Sequence, residues 1–408
     1  MELAINILGL IIFLAIGWIF SKDRKHINWY GIIAMVVLNL FLAWFMTSFS
    51  WGQNMIKWAA GAFDTLVKEA YVGIAFAIPS MVHVKQMDFF VSSLLPILMI
   101  VPLFDILTYI GVLPFIIKWV GKILAFVTRQ PKFESFFAVE MMFLGNTEAL
   151  AVSQLQLKQM KAKRNLTLAM MSMSCVTASI LGSYMQMMPG QFILTAVPLN
   201  VVNALIVTSM LNPVHVDKEE DTVATITGAA AEASGDVEAD GKREPFFSFL
   251  GDSILGAGRL VLIIAANVIA FVALIALLDK VLELCHIWTI EKILGYIMFP
   301  FAWLLGLDPH TALQMGQYMG TKLVTNEFVV MLKVMHQVGH FAPHFKAVLT
   351  VFLTSFANLS TIGMIIGCFK GIVNREKNDV ISANVGYMLI SGILVSLLSA
   401  AMVGLFVW

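Results

Sequence analysis

The sequence predicts an all-α integral membrane protein: about eight transmembrane helices plus two re-entrant helical hairpins in an inverted repeat, with broken helices at mid-membrane. Three observations predict it. Of 408 residues, 59% are hydrophobic and only 13% charged, a mixture too apolar to be hidden inside a soluble globule. Apolar runs of about 20 residues recur along the chain, which is the length a helix needs to cross a hydrocarbon core of about 30 Å, and they lack the alternation of barrel strands. Two stretches, 143–150 and 323–328, set Glu148 and Glu327 each beside an Asn and a Thr inside such apolar surroundings. An ionised carboxylate at that depth is costly unless it is paired or faces a wet cavity, so each marks a site.

The elements follow in order. The run 3–20 lacks a basic leader region and a small-residue cleavage site, so a retained helix is expected, ending at the charged residues Lys22 to His26. A second helix is expected over 30–48. Residues 49–90 mix Trp51, Lys57, Asp64, Lys68 and Glu69 with apolar side chains, which suits an amphipathic or interfacial helix. An apolar segment over 90–120 leads into the basic connection Lys118, Lys122, Arg129 and Lys132. The first polar stretch follows Pro131 and is followed by Lys158, Lys161, Lys163 and Arg164; helices over 165–188 and 191–211 are then separated by the turn pair Pro189-Gly190. Residues 212–245, with Asn212-Pro213 and the acidic run Glu219-Glu220-Asp221, have no periodicity and read as a solvated loop. Apolar segments follow over 254–279 and 287–306, the second interrupted by Pro300. The second polar stretch spans 309–337. A connection carrying His336, His340 and His344 is expected to be solvated, and helices over 346–369 and 382–407 complete the chain. The domain assignment is 1–130 scaffold helices and interfacial helix, 131–211 first repeat, 212–250 polar cytoplasmic loop, 251–306 scaffold helix and interfacial segment, and 307–408 second repeat.

Charge sets the topology. Basic residues cluster near 21–26, 118–132, 158–164, 242–243 and 375–377 and are sparse near 187–192 and 336–345, so the first group is cytoplasmic and both termini are external. The stretch around Glu148 then enters and leaves on the cytoplasmic side, and that around Glu327 from the other. Spacing supports a repeat: Pro131 precedes Glu148 by 17 residues and Pro309 precedes Glu327 by 18, while Glu148 to Ser179 and Glu327 to Asn358 are both 31. Inverted repeats with non-helical breaks at mid-membrane are the architecture of secondary transporters.

The motifs Gly145-Asn146-Thr147-Glu148-Ala149, Lys322 to Val329 containing Asn326-Glu327-Phe328-Val329, and Phe356 to Gly363 together resemble the concentrative nucleoside transporters. The resemblance in helix order covers nearly the whole chain. It implies a homotrimer, with a scaffold and a mobile transport domain, that imports nucleosides across a bacterial inner membrane by an elevator movement driven by a cation gradient. Carried onto this sequence, it places Asn146, Thr147 and Glu148 at the nucleobase, Glu327 and Asn358 on the ribose hydroxyls with Thr361 beside them, and Ile180 and Phe356 against the base. The chemistry agrees, since a diol offers donors that suit a carboxylate and a base edge needs the donor and acceptor that amides supply.

Two departures stand out. Asn146 replaces the family's Gln, one methylene longer. The side-chain positions of the family's sodium site align with Met141 and Cys175, leaving the carbonyls of Leu144 and Val176, and soft sulfur suits sodium poorly. Proton symport is therefore expected, with Glu148 and Glu327 as candidate acceptors; sodium symport is the alternative. An intramembrane enzyme using Glu148 and Glu327 lacks a His or nucleophile in the same segments, and closed hairpins disfavour a channel. Zero net charge argues against nucleic acid as a partner, and Cys175, Cys285 and Cys368 are spaced as packed thiols rather than as a disulfide or metal set. No cofactor is expected.

Overall fold

The computed structural model describes residues 1–84, 87–216, 221 and 244–408. The expected loop's acidic residues Glu219 and Glu220, and the basic pair Lys242-Arg243, lie outside the described residues. Every described element is helical, as the bilayer requires of segments that must satisfy their own backbone groups. Among the described residues, six helices are long and apolar enough to cross a membrane.

Helix α1 (Glu2–Ile19) buries one stripe, Asn6, Gly9, Leu10, Phe13 and Gly17, at helical spacing. α2 (Trp29–Thr47) starts where the Asn28 side chain accepts from the Gly31 amide at 3.0 Å. α3 (Ser50–Ala77) is a helix that buries five of its 28 residues, Gly52, Ile56, Val67, Ala70 and Ile74. After the short α4 (Pro79–Val82), a π-helical turn Phe90–Leu94 runs into α5 (Ile97–Tyr109). The apolar run expected to reach residue 120 is divided at Gly111, whose φ of +87° starts α6 (Val112–Thr128) in a new direction; glycine reaches that region without a Cβ penalty.

The first repeat comprises α7 (Lys132–Leu144), α8 (Asn146–Val152), α9 (Gln154–Gln159), α10 (Ala162–Met171), a 3₁₀ turn Ala178–Ile180, α11 (Leu181–Met185) and α12 (Gly190–Leu211). α13 (Phe246–Leu284) has 39 residues, and α14 (Ile290–Trp303) continues through Pro300 instead of breaking there, ending three residues later. The second repeat follows as α15 (Pro309–Val324), α16 (Glu327–Val334), α17 (Pro343–Leu353), α18 (Leu359–Ile372), α19 (Arg375–Ser382) and α20 (Val385–Gly404). Each repeat therefore has a hairpin, a helix broken by non-helical residues, and a long final helix.

The two hairpins enter from opposite ends of α1. Beyond its C-terminal end, the Lys22 amide bonds Leu211 O at 3.0 Å and Lys22 Nζ bonds Asn384 Oδ1 at 2.6 Å. The base of the first hairpin is there too: Ser209 Oγ donates to Gln130 at 3.0 Å, and Lys377 Nζ bonds Lys158 O at 2.6 Å. At the Glu2 end, a Cβ on Gly306 would lie 2.8 Å from Glu2 O, and His344 nitrogens sit 2.8 Å from Leu305 O and 2.8 Å from Val407 O. His344, expected in a solvated connection, is thus buried on α17 and stacked on Trp408 at 4.0 Å, because it caps carbonyls from two other segments. Both termini meet at this end.

Packing separates a centre from a periphery. α12 and α20 contact each other, and α1 and α2, placed with the scaffold by the sequence, lie against both of them. Asn39 on α2 donates to Leu199 O at 3.1 Å, and Asn203 to Ser399 Oγ at 2.9 Å, the polar glue available where lipid tails compete for apolar faces. α5 packs on α13, whose most apolar window is only 11% buried against 78% for α12.

Candidate functional site

The first hairpin turns at Gly145, with φ +94° and ψ 177°. An added Cβ there would sit 3.0 Å from Thr177 Cβ and 3.1 Å from Glu148 Oε2, so the turn needs glycine for its backbone and for its closeness. The hairpin is fixed at three heights. At its base, Arg164 Nε and an Nη meet the two Glu134 oxygens at 2.8 Å each, with side chains 3% and 5% exposed. Along the arms, Ser153 Oγ donates to Glu140 Oε2 at 2.9 Å. At the tip, Thr177 Oγ1 donates to Phe143 O at 3.3 Å, tying it to the break between α10 and α11.

The polar side chains at this tip differ in their satisfaction. Thr147 Oγ1 donates to Glu148 Oε2 at 2.8 Å, and Glu148 is exposed. Asn146 is 3% exposed, yet neither its amide nitrogen nor its oxygen has a hydrogen-bond partner among the described residues. A buried amide left open on both sides is uncommon, and its donor and acceptor are free for a ligand.

The second hairpin starts at Asp308, whose Oδ1 accepts from the His310 and Thr311 amides at 3.0 and 3.2 Å, with Pro309 in the first turn. The Thr311 hydrogen bond holds the Asp308 carboxyl below its ordinary pKa. The chain breaks at Thr325 and Asn326, and Asn326 Oδ1 accepts from the Val329 amide at 3.1 Å to start α16. Asn358 repeats the device at the second broken helix, its Oδ1 accepting from the Thr361 amide at 2.9 Å, Thr361 Oγ1 at 3.0 Å and Ser360 Oγ at 2.7 Å. Thr361 therefore bonds a side chain rather than its own helix.

Glu327 joins these pieces. It is 2% exposed, with Tyr184 Oη donating to Oε1 at 2.7 Å and Asn358 Nδ2 to Oε2 at 3.3 Å. It sits at the N-terminus of α16 and bonds the N-cap of α18, so two helix ends favour negative charge there. α18 also packs against α8, which brings the Asn146–Glu148 tip and the Glu327–Asn358 pair onto one helix. Ile180 is buried in the 3₁₀ turn and Phe356 is half-buried in the second break. Met141 and Cys175 are buried, as is Val176, while Leu144 is half-buried; Ser172 Oγ lies 3.4 Å from Met141 Sδ.

Three residues escaped sequence reasoning. Lys322 is fully buried, with Nζ 2.6 Å from Phe352 O and 2.6 Å from Ser355 Oγ and 4.5 Å above the Phe352 ring. It donates to the C-terminal end of α17, and a lysine in an apolar run was itself a signal. Glu140 carried the same signal. Tyr184 carried none, since an aromatic residue in an apolar segment reads as core.

Residues 8–81 match the model of the Na+ dependent nucleoside transporter N-terminus, and residues 192–404 that of the Na+ dependent nucleoside transporter C-terminus. The chain is 46% identical over 413 residues to the purine nucleoside transport protein NupG of Bacillus subtilis, covering 100% of each. It is 24% identical over 422 residues to the nucleoside permease NupC of Helicobacter pylori, covering 98% of this chain and 97% of that one. In structure it is similar to CNTnw in an inward-facing substrate-bound state, with a TM-score of 0.90 and 24% identity over 100% of this chain and 98% of that chain. A doubly substituted CNTnw in an outward-facing state gives 0.90 and 23%, over 100% and 99%.

Proposed function

The chain belongs to the concentrative nucleoside transporter family and is a nucleoside transporter, not an enzyme; on that premise we propose that it imports purine nucleosides by proton symport. The observation that carries the site assignment is Glu327, a buried carboxylate whose hydrogen bonds come from the neutral donors Tyr184 and Asn358. A carboxylate offers about four acceptor positions, so two remain for the 2′- and 3′-hydroxyls of a ribose. Asn358 completes that contact, with Thr361 beside it. Asn146, Thr147 and Glu148 face the base, and Ile180 and Phe356 line its flat sides. The unpartnered Asn146 amide supplies a donor and an acceptor for the base edge. The name of the Bacillus subtilis relative supports the purine preference.

Proton coupling is supported by Met141 and Cys175, which put a thioether and a thiol where a sodium site needs hard oxygens; the carbonyls of Leu144 and Val176 alone make a poor cage. Glu148 and Glu327 are the candidate proton carriers. The family model's description favours the second reading, sodium symport. Adenosine uptake into proteoliposomes under a proton gradient alone, then a sodium gradient alone, separates them. Uptake that requires sodium and ignores an uncoupler overturns proton symport. A Glu327→Gln variant is expected to lose uptake while staying folded, and full activity would overturn the ribose assignment.

Movement is by an elevator mechanism in a homotrimer in the bacterial inner membrane, with both termini outside and the hairpins re-entrant. Packing supports placing α1 and α2 with the moving centre, because they lie against α12 and α20, and leaving α5 and α13 in the static frame.

A further inference from the structure

Tyr184 lies outside every motif that pointed to the site, yet its hydroxyl makes the shortest hydrogen bond to Glu327, at 2.7 Å. The two residues are 143 apart in sequence and come from different repeats, Tyr184 from the second half of the first broken helix and Glu327 from the tip of the second hairpin. The ring is fully buried and meets Phe328 edge-on at 5.0 Å and 69°, and Phe328 in turn meets Phe89 at 5.9 Å. A tyrosine held this way has one hydroxyl position to offer and loses no rotamer freedom in offering it.

Resting on the ribose assignment of Glu327, we propose that Tyr184 is a positioning residue that sets the preference for a ribose 2′,3′-diol over deoxy sugars. The carboxylate can rotate about its last torsion. Asn358 alone, at 3.3 Å, holds one oxygen weakly. Tyr184 takes one acceptor position of Oε1 and fixes the plane of the group, so that the remaining positions of both oxygens face the two hydroxyls together. Without the phenol oxygen, Oε1 is left short of a partner in a water-poor site and turns to find one. Both ribose contacts then weaken, while the base contacts at Asn146 to Glu148, on the other hairpin, are untouched.

The test is Tyr184→Phe in the full-length protein, reconstituted in proteoliposomes, with labelled adenosine competed by adenosine and by 2′,3′-dideoxyadenosine. The expected result is a rise of about 10-fold in KM for adenosine, the size of one lost hydrogen bond to a charged group. The dideoxy analogue should change less than about 2-fold, so the discrimination ratio collapses. The ligand-induced thermal shift of the purified variant reads the same ratio without transport, which covers a variant that is stable but inactive. A ratio equal to wild type makes Tyr184 packing and overturns the proposal. A fall in KM does so too, because Tyr184 would then be a plug that the ribose displaces. If wild type itself does not distinguish the two compounds, the ribose assignment of Glu327 fails; if it does and Tyr184→Phe still does, only the role of Tyr184 fails.

Discussion

Replacing Glu134 with Gln tests how the first hairpin is anchored. Glu134 and Arg164 form a two-pronged pair at 2.8 Å per contact, between α7 and α10, with side chains 5% and 3% exposed. At that burial the guanidinium has almost no water to fall back on. The amide can keep one of the two hydrogen bonds, but it takes the carboxylate's charge out of a buried ion pair, a change that costs about 3–5 kcal/mol. Replacing both partners, as Glu134→Leu with Arg164→Met, removes both buried charges together, and the double variant should come within about 1–2 kcal/mol of wild type. Equilibrium unfolding in mixed micelles, run as a double-mutant cycle, measures this. Hydrogen exchange over 132–171 should show that the loss in the single variant starts at the hairpin base. A single variant within about 0.5 kcal/mol of wild type would mean the pair behaves like a solvated surface pair, and the argument from burial would be refuted.

Three further outcomes follow from the same geometry. Gly145→Ala places a Cβ 3.0 Å from Thr177 on a backbone at φ +94°, a strain of about 1–3 kcal/mol at the hairpin tip; uptake should fall at least tenfold, and normal uptake would refute the closeness of the tip to the broken helix. Lys322→Met removes the side-chain donor to Phe352 O in a buried site, at about 1–3 kcal/mol, while Ser355 Oγ keeps Ser396 Oγ at 2.6 Å. Faster hydrogen exchange over 352–358 should report it, with uptake lost in parallel; unchanged exchange would exclude the cap. Asp308→Ala should cost about 0.5–2 kcal/mol at the start of the second hairpin. Because the folded carboxyl is held below its ordinary value, the wild-type cap is fully present above about pH 4 and fades as pH falls through the lowered value. Protection of the His310 and Thr311 amides, taken relative to their intrinsic exchange rates, should fall in acid in wild type but not in the variant.

How far these features could be read ahead of the fold depends on the range of the interaction. Asn326 and Asn358 cap helices through amides three residues ahead, and Gly145 turns its own backbone, so each was visible as a polar interruption of an apolar run. The matched separation of 31 from each Glu to its broken helix gave the repeat for the same reason. Pro300 and His344 misled because local composition was taken to decide them, whereas His336 and His340 are exposed as expected. His344 is buried by carbonyls from Leu305 and Val407, which no window around it contains.

The residues alone were enough to show a helical, membrane-bound chain, interrupted by two polar tips at which carboxylates and amides gather. Which helices face the centre and which the periphery, and that Tyr184 and Lys322 lie around the candidate site, became visible with the packed fold. The reason is physical. Lipid tails are as apolar as a packed interior, so hydropathy cannot tell the exposed stripe of α13 from the buried α12. A hydrogen bond across 143 residues exists only once the two repeats have interlocked.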